Sequence, residues 1–219
     1  MGIESGSKET LRFDKLIDAT DLEGEKNQEV FEITRRIEKE LSDLPEFIGV
    51  APFGSRLQGY ATDKESSDYD IYIFEDKSLR DGGERIIEKL HEILLEYLKK
   101  GIKIQIVEQY FNEENVHGLV SMVDTVPPDY YYLTCFANLC RSGRGEKIEL
   151  WRNKIKEEVL KLPKEKQEKL YRMFSQWLLK TDRISVPKIK KRVSGFDEEE
   201  YMNARSRLWL KRVLKIYGE

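Results

Sequence analysis

Histidine and cysteine are almost missing from this chain, with two of each in 219 residues. Cys135 and Cys140 stand in an apolar context with no histidine beside them, which excludes a disulfide framework and leaves no ligand set for zinc. They read as buried thiols. His91 falls inside a regular helical pattern and His117 in a polar stretch ahead of an expected strand, and neither has a partner at metal-ligand or nucleophile-activating spacing. Long apolar runs are missing too. No segment reaches the ~20 apolar residues that cross a bilayer, and the opening MGIESGSKETLRFDKL carries no apolar stretch of signal-peptide length, so we expect a cytoplasmic protein with no membrane partner. Nor is there an excess of one charge. The 38 Lys and Arg against 41 Asp and Glu leave a net charge of -3, which gives no global attraction to nucleic acid, so any polyanion site has to be local.

What the chain does have is 39% apolar and 36% charged residues, the balance of a globular core under a heavily solvated surface. After a polar segment over 1–26, EKNQEVFEITRRIEKELSDL places Val30, Ile33, Ile37 and Leu41 at helical spacing. The apolar run EFIGVAPFG, stopped by Gly54, predicts a buried strand, and DYDIYIFE predicts a second. Helix 82–100 follows, with Ile86, Leu90, Ile93 and Leu94 on one face and Gly101 past its end. IKIQIVEQYF alternates as a strand, and GLVSMVDTV, ended by Pro127 and Pro128, is expected to be one more. From Asp129 onward the spacing predicts helices only, over 129–140, 146–162, 164–181 and 197–217. The order implies an α/β (α+β) domain with a mixed sheet over 27–128 and an α-helical C-terminal domain over 129–219.

The chemistry concentrates in APFGSRLQGYATDKESSDYDIYIF, residues 51–74. On a strand, residues two apart share a face, so Asp68 and Asp70 stand side by side while Tyr69, Ile71 and Ile73 turn to the core. Two carboxylates that close repel unless a cation or proton lies between them, and hard oxygen donors suit Mg²⁺ or Mn²⁺ shared with substrate phosphates. Gly54 lets the backbone approach a ligand, and Ser55 opens a short helix through Arg56, Leu57 and Gln58 whose N–H groups and hydroxyl suit the outer phosphates of a nucleotide. Arg56 is placed to steady a phosphate or to lie solvated. Residues 56–67 separate Ser55 from Asp68, room for a short helix and a return loop.

Gly54-Ser55, this spacer, and Ser67-Asp68-Tyr69-Asp70-Ile71 together resemble the signature of the DNA polymerase β nucleotidyltransferase superfamily, in particular its small bacterial and archaeal members. The motif covers about 20 residues, and the element order extends the likeness over roughly 28–126; the helical C-terminal part has no counterpart in it. The resemblance implies transfer of a nucleoside monophosphate from a nucleoside triphosphate, ATP among them, to a hydroxyl, with release of pyrophosphate by two-metal catalysis. It implies Asp68 and Asp70 as Mg²⁺ or Mn²⁺ ligands and Gly54 with Ser55 as the seat of the β- and γ-phosphates. Many members carry a third carboxylate on a later strand. Here Gln105 stands where it is expected, and the alternatives are Glu108, an acid of the VDTVPPD region (Asp124 or Asp129), or two acids alone. Alternation sets Glu108 with the core-facing residues, so it would reach the site only through a bulge or at the strand end.

The acceptor stays open among an RNA or tRNA end, a small molecule and a protein side chain, and a homodimer is compatible with the sequence. The second function class is a catalytically weak nucleotide-binding or antitoxin-like partner protein, kept by Gln105. Basic patches at 141–147 (RSGRGEK), at 188–192 (KIKKR) and along Arg205, Arg207, Lys211, Arg212 and Lys215, near Trp151, Tyr201, Trp209 and Tyr217, would suit a polynucleotide. Acids are as dense in KEEVLKLPKEKQEK and DEEE, and mixed signs fit a solvated surface better. DYYYLTCFANLC is expected in the core, with Tyr130 to Tyr132 able to line a base pocket.

Overall fold

The computed structural model describes residues 11–12, 28–57, 60–61, 68–76, 78–79, 83–124, 133–134, 136, 139–140 and 145–218. Most of them are helical. Strands are β1 (Leu11–Arg12), β2 (Phe47–Phe53), β3 (Tyr69–Asp76), β4 (Ile104–Phe111) and β5 (Val193–Ser194). Helices are α1 (Gln28–Leu41), α2 (Gly54–Leu57), α3 (Gly83–Lys99), α4 (Glu113–Ser121), α5 (Glu146–Leu160), α6 (Lys164–Lys190) and α7 (Glu198–Tyr217). A three-stranded mixed sheet of order β2-β3-β4 is antiparallel between β2 and β3 and parallel between β3 and β4. The parallel step needs a crossover, which α3 provides. β1 and β5 pair separately as a two-stranded parallel ladder.

Side-chain alternation along β3 divides the core in two. Tyr69, Ile71 and Ile73 are buried on one face, toward α1, where the Tyr69 hydroxyl donates to Glu29. The opposite face carries an aromatic row. Phe53 stacks on Tyr72 at 4.0 Å, Phe74 meets Phe111 edge-on at 5.5 Å, and Phe111 reaches Phe136 at 5.8 Å and Trp151 of α5 at 5.9 Å. The C-terminal helices are thus packed onto the sheet, and one hydrophobic cluster takes residues from both sides of position 128. Each fully buried ring contributes about 1.5–3 kcal/mol through lost water contact. Cys140 is one of its buried members, while Cys135 lies outside the described residues.

Two expectations are corrected. Residues 118–124 of the expected strand GLVSMVDTV belong to α4 and a 3₁₀ turn, Met122–Asp124, while Thr125 and Val126 lie outside the described residues. The cause is local: Asn112 and Asn115 form a reciprocal capping box, at 2.9 and 2.7 Å, and Glu113 and Glu114 sit in the first turn where the helix dipole favours them. His117 is therefore an exposed helical residue. The helix expected over 164–181 runs on to Lys190 through Pro187. In the last turn a proline costs the helix one hydrogen bond, and burial of Val186 and Ile189 offsets it. Tyr130 to Tyr132, Asp129 and Gln58 lie outside the described residues.

α6 and α7 form an antiparallel pair locked by a buried charge. Asp182, fully buried, accepts from Arg205 Nε at 2.6 Å, Arg205 Nη2 at 3.1 Å and Trp209 Nε1 at 2.5 Å. Such a pair is costly to desolvate but much worse to break. Asp182→Ala, which strands the Arg205 charge, is expected to cost about 3–5 kcal/mol in urea unfolding, whereas the paired change Asp182→Leu with Arg205→Met loses far less; equal losses would show that the charge pair is not what holds α6 to α7.

Candidate active site

Because β2 and β3 are antiparallel, the end of β2 lies beside the start of β3, and Phe53 pairs with Asp70. Gly54 follows with φ +81°, in the left-handed region, and turns the chain into the single turn of α2. Its Cα faces the Asp70 carboxylate so closely that a Cβ built there would fall 1.8 Å from Asp70 Oδ2 and 2.7 Å from its Cγ. The backbone and the acid therefore share one small space. Gly54, Ser55 and Asp70 are half-buried and Asp68, just before β3, is exposed, so these parts meet at an open strand end.

Burial, with the neighbouring Asp68 charge, pushes the Asp70 carboxyl up to about 6, and Lys188 opposes the shift. A carboxylate held in that state is short of a cation. Asp68 and Asp70 fit a hard divalent ion that keeps waters and takes its remaining ligands from substrate phosphates. Among the described residues no three His, Cys, Asp or Glu side chains come together as a metal cage.

The other sequence-assigned residues divide. Ser55, in α2, is carried by the same turn as Gly54, and its carbonyl accepts from Tyr60 N at 3.2 Å. Arg56 lays its guanidinium over the Tyr69 ring, 4.1 Å from the centroid, so it buttresses the strand behind the acids. Gln105 is the β4 partner of Asp70, which puts an amide at the position of the expected third acid. Glu108 is not brought to the pair: it pairs with Ile73, three residues along the ladder and on the opposite face, and accepts from the Tyr110 hydroxyl. No bulge interrupts the β3–β4 register to turn it round. Asp124 is exposed and ion-paired with Lys166 at 2.6 Å, and Asp129 lies outside the described residues.

Residues that sequence reasoning missed come from the far helix. Tyr60, 3% exposed, packs with Val186, Ile189, Val193, Tyr201 and Met202, its phenol hydrogen-bonds with Ser185, and its carbonyl accepts from Arg192 Nη1 at 3.5 Å. This anchors the end of α6 against the segment that leaves Gly54 and Ser55, and brings Lys188 within electrostatic reach of Asp70. The sequence showed KIKKR as a basic run, but nothing in it said which lysine faces the acids.

Two outcomes follow from this geometry. Asp70 takes its proton at about 6 in the folded chain and near 3.8 when unperturbed, so its ionised form is a folding penalty that is full above about pH 6 and gone below about pH 4. In metal-free buffer Asp70→Asn should be more stable than the wild type by about 1–3 kcal/mol at pH 7.5, with the gap closing by pH 4; a gap that stays constant with pH in urea titrations would refute the assignment. Gly54→Ala should lower stability by at least about 1 kcal/mol, since both the φ and the 1.8 Å overlap oppose a methyl group there, and should weaken Mg²⁺-triphosphate binding measured by calorimetry. No family model, curated protein or solved structure matches this chain, so the geometry of Gly54, Asp68 and Asp70 is what carries a functional assignment.

Proposed function

We propose that the chain is a Mg²⁺-dependent nucleotidyltransferase, moving a nucleoside monophosphate from a nucleoside triphosphate to a hydroxyl and releasing pyrophosphate. The observation that carries this is the contact between Gly54 and the Asp70 carboxylate, which puts a side-chain-free backbone turn and an acid pair at one strand end. The strand order supports a polymerase-β-like catalytic domain over 27–128, with an antiparallel β2–β3 pair, a crossover helix and a parallel β4. Residues 129–219 would form the helical substrate-side part.

In this reading Gly54 and Ser55 seat the outer phosphates through backbone N–H groups and the hydroxyl, since a lone turn leaves its N–H groups without intrahelical acceptors. Asp68 and Asp70 would hold Mg²⁺ or Mn²⁺, which when bound supplies positive charge against the triphosphate and the leaving pyrophosphate. Positioning and electrostatics carry the rest of the barrier reduction. The acceptor oxygen bonds to the α-phosphorus as the bond to the bridging oxygen breaks, and the pyrophosphate takes that electron pair. The hydroxyl proton cannot go to Gln105, an amide, which leaves the acid pair or solvent.

Gln105 opposite Asp70 also favours a second reading, a nucleotide-binding or antitoxin-like partner protein of weak catalysis. The two separate on incubation with each triphosphate, Mg²⁺ and acceptor candidates, following pyrophosphate against Asp70→Ala. A transferase gives release that falls at least about 100-fold in the variant, as expected for loss of a group that stabilises transition-state charge. Triphosphate affinity with release at the control level selects the partner protein, and absence of both excludes either.

A further inference from the structure

Between Gln176 and Arg192 the chain carries six cations, Lys180, Arg183, Lys188, Lys190, Lys191 and Arg192, and a single acid, Asp182. Asp182 is fully buried and bound to Arg205, so the surface of this stretch presents positive charge only. The first half of α6 differs, since there cations alternate with Glu165 and Glu168, and Arg172 is ion-paired with Glu168. Among the described residues Arg183, Lys188, Lys190 and Lys191 form no salt bridge, although cations elsewhere are repeatedly neutralised, as with Arg36, Lys154 and Lys166. Lys180, Ile184 and Lys188 recur every four residues and so line up as one ridge of α6, ~12 Å long, and Lys191 and Arg192 continue the positive charge just past the helix end.

The ridge begins at the candidate active site. Tyr60 is wedged against Val186 and Ile189 and bonded to Arg192, and Tyr60 N reaches the Ser55 carbonyl, so the Arg192 end adjoins the turn that holds Gly54. From there it runs outward to Lys180, whose ammonium sits over the Trp177 ring at 5.0 Å, past Ile184, which is 74% exposed. A triphosphate seated at Gly54 would need only Lys188 and Arg192. Lys180 lies a further ~12 Å along the helix, and a cationic small molecule would be repelled along the ridge itself.

We propose that this ridge binds a single-stranded nucleic acid and leads its terminal hydroxyl to Asp68 and Asp70, which makes a polynucleotide end the acceptor. The proposal rests on the nucleotidyltransferase reading for what happens at that end, while strand binding itself does not need it. Phosphates engage Lys180, Lys188, Lys191 and Arg192, and Ile184 with the Trp177 edge offers an apolar step for unstacked bases. A duplex would leave that apolar step without a base.

The test measures fluorescence anisotropy of short labelled single strands, RNA and DNA, with the full chain in EDTA and without triphosphate. Four proteins are compared: wild type, Lys180→Gln with Lys188→Gln and Lys191→Gln, Asp70→Ala, and a control with Lys211→Gln and Lys215→Gln at the other end of the α6/α7 pair. Circular dichroism and thermal melts confirm that each is folded. Wild type is expected to bind with a log-log salt slope of about -3, the value for four phosphate contacts on a single strand. The triple variant should lose at least about ten-fold in affinity and flatten the slope, while the control stays near wild type. Asp70→Ala should keep strand binding and, in a separate calorimetric titration with Mg²⁺ and triphosphate, lose triphosphate binding, which separates failure of the ridge from failure of the active site. Absence of strand binding at low salt, an unchanged triple variant, or an equal loss in the control would each overturn the proposal.

Discussion

Everything at the candidate site follows from one close approach, the Asp70 carboxylate lying against a backbone that has no side chain. At 1.8 Å from Oδ2 there is no room for even a methyl group on Gly54, so the end of β2 and the start of β3 can meet in this way only with glycine there. The antiparallel pairing brings the two ends together, and φ +81° turns the chain away before it collides with the acid. A buttress on the other face keeps the strand in place. Tyr69 is buried beneath the Arg56 guanidinium and bonded to Glu29 of α1, so the residue between the two acids is fixed from behind.

This arrangement carries a cost in folding. Asp70 is half-buried beside a second carboxylate, and its raised pKa expresses the cost of keeping it ionised. A sequence selected for stability alone would not retain such a pair at an open strand end. Lys188 relieves part of the cost, and a divalent ion would relieve more. The aromatic row from Phe53 to Trp151 and the Asp182–Arg205–Trp209 lock supply rigidity elsewhere, so the strained corner sits on a frame that does not depend on it.

The helical part does more than cover the sheet. Tyr60 couples the chain after α2 to the last turns of α6, which brings the positive charge of Lys188 to bear on Asp70. Charge counts over the whole chain conceal the basic stretch, because the one acid within it is buried.

The sequence alone determined the elements whose signals are periodic: α1 from Val30, Ile33, Ile37 and Leu41, α3 from Ile86, Leu90 and Ile93, and the buried alternation of Tyr69, Ile71 and Ile73 on β3. It also determined that Gly54 and the acids would lie near each other, since a turn and a return loop fit between them, and that Gln105 rather than an acid would stand opposite Asp70. It misjudged α4, where apolar β-branched residues suggested a strand and a two-asparagine cap decided for a helix. Tertiary structure decided what depends on distant residues meeting: the unbroken β3–β4 register that keeps Glu108 off the site, the burial of Asp182 that leaves α6 cationic, and the approach of Lys188 to Asp70. Periodicity records which side of an element is buried, whereas long-range packing chooses what is buried against it.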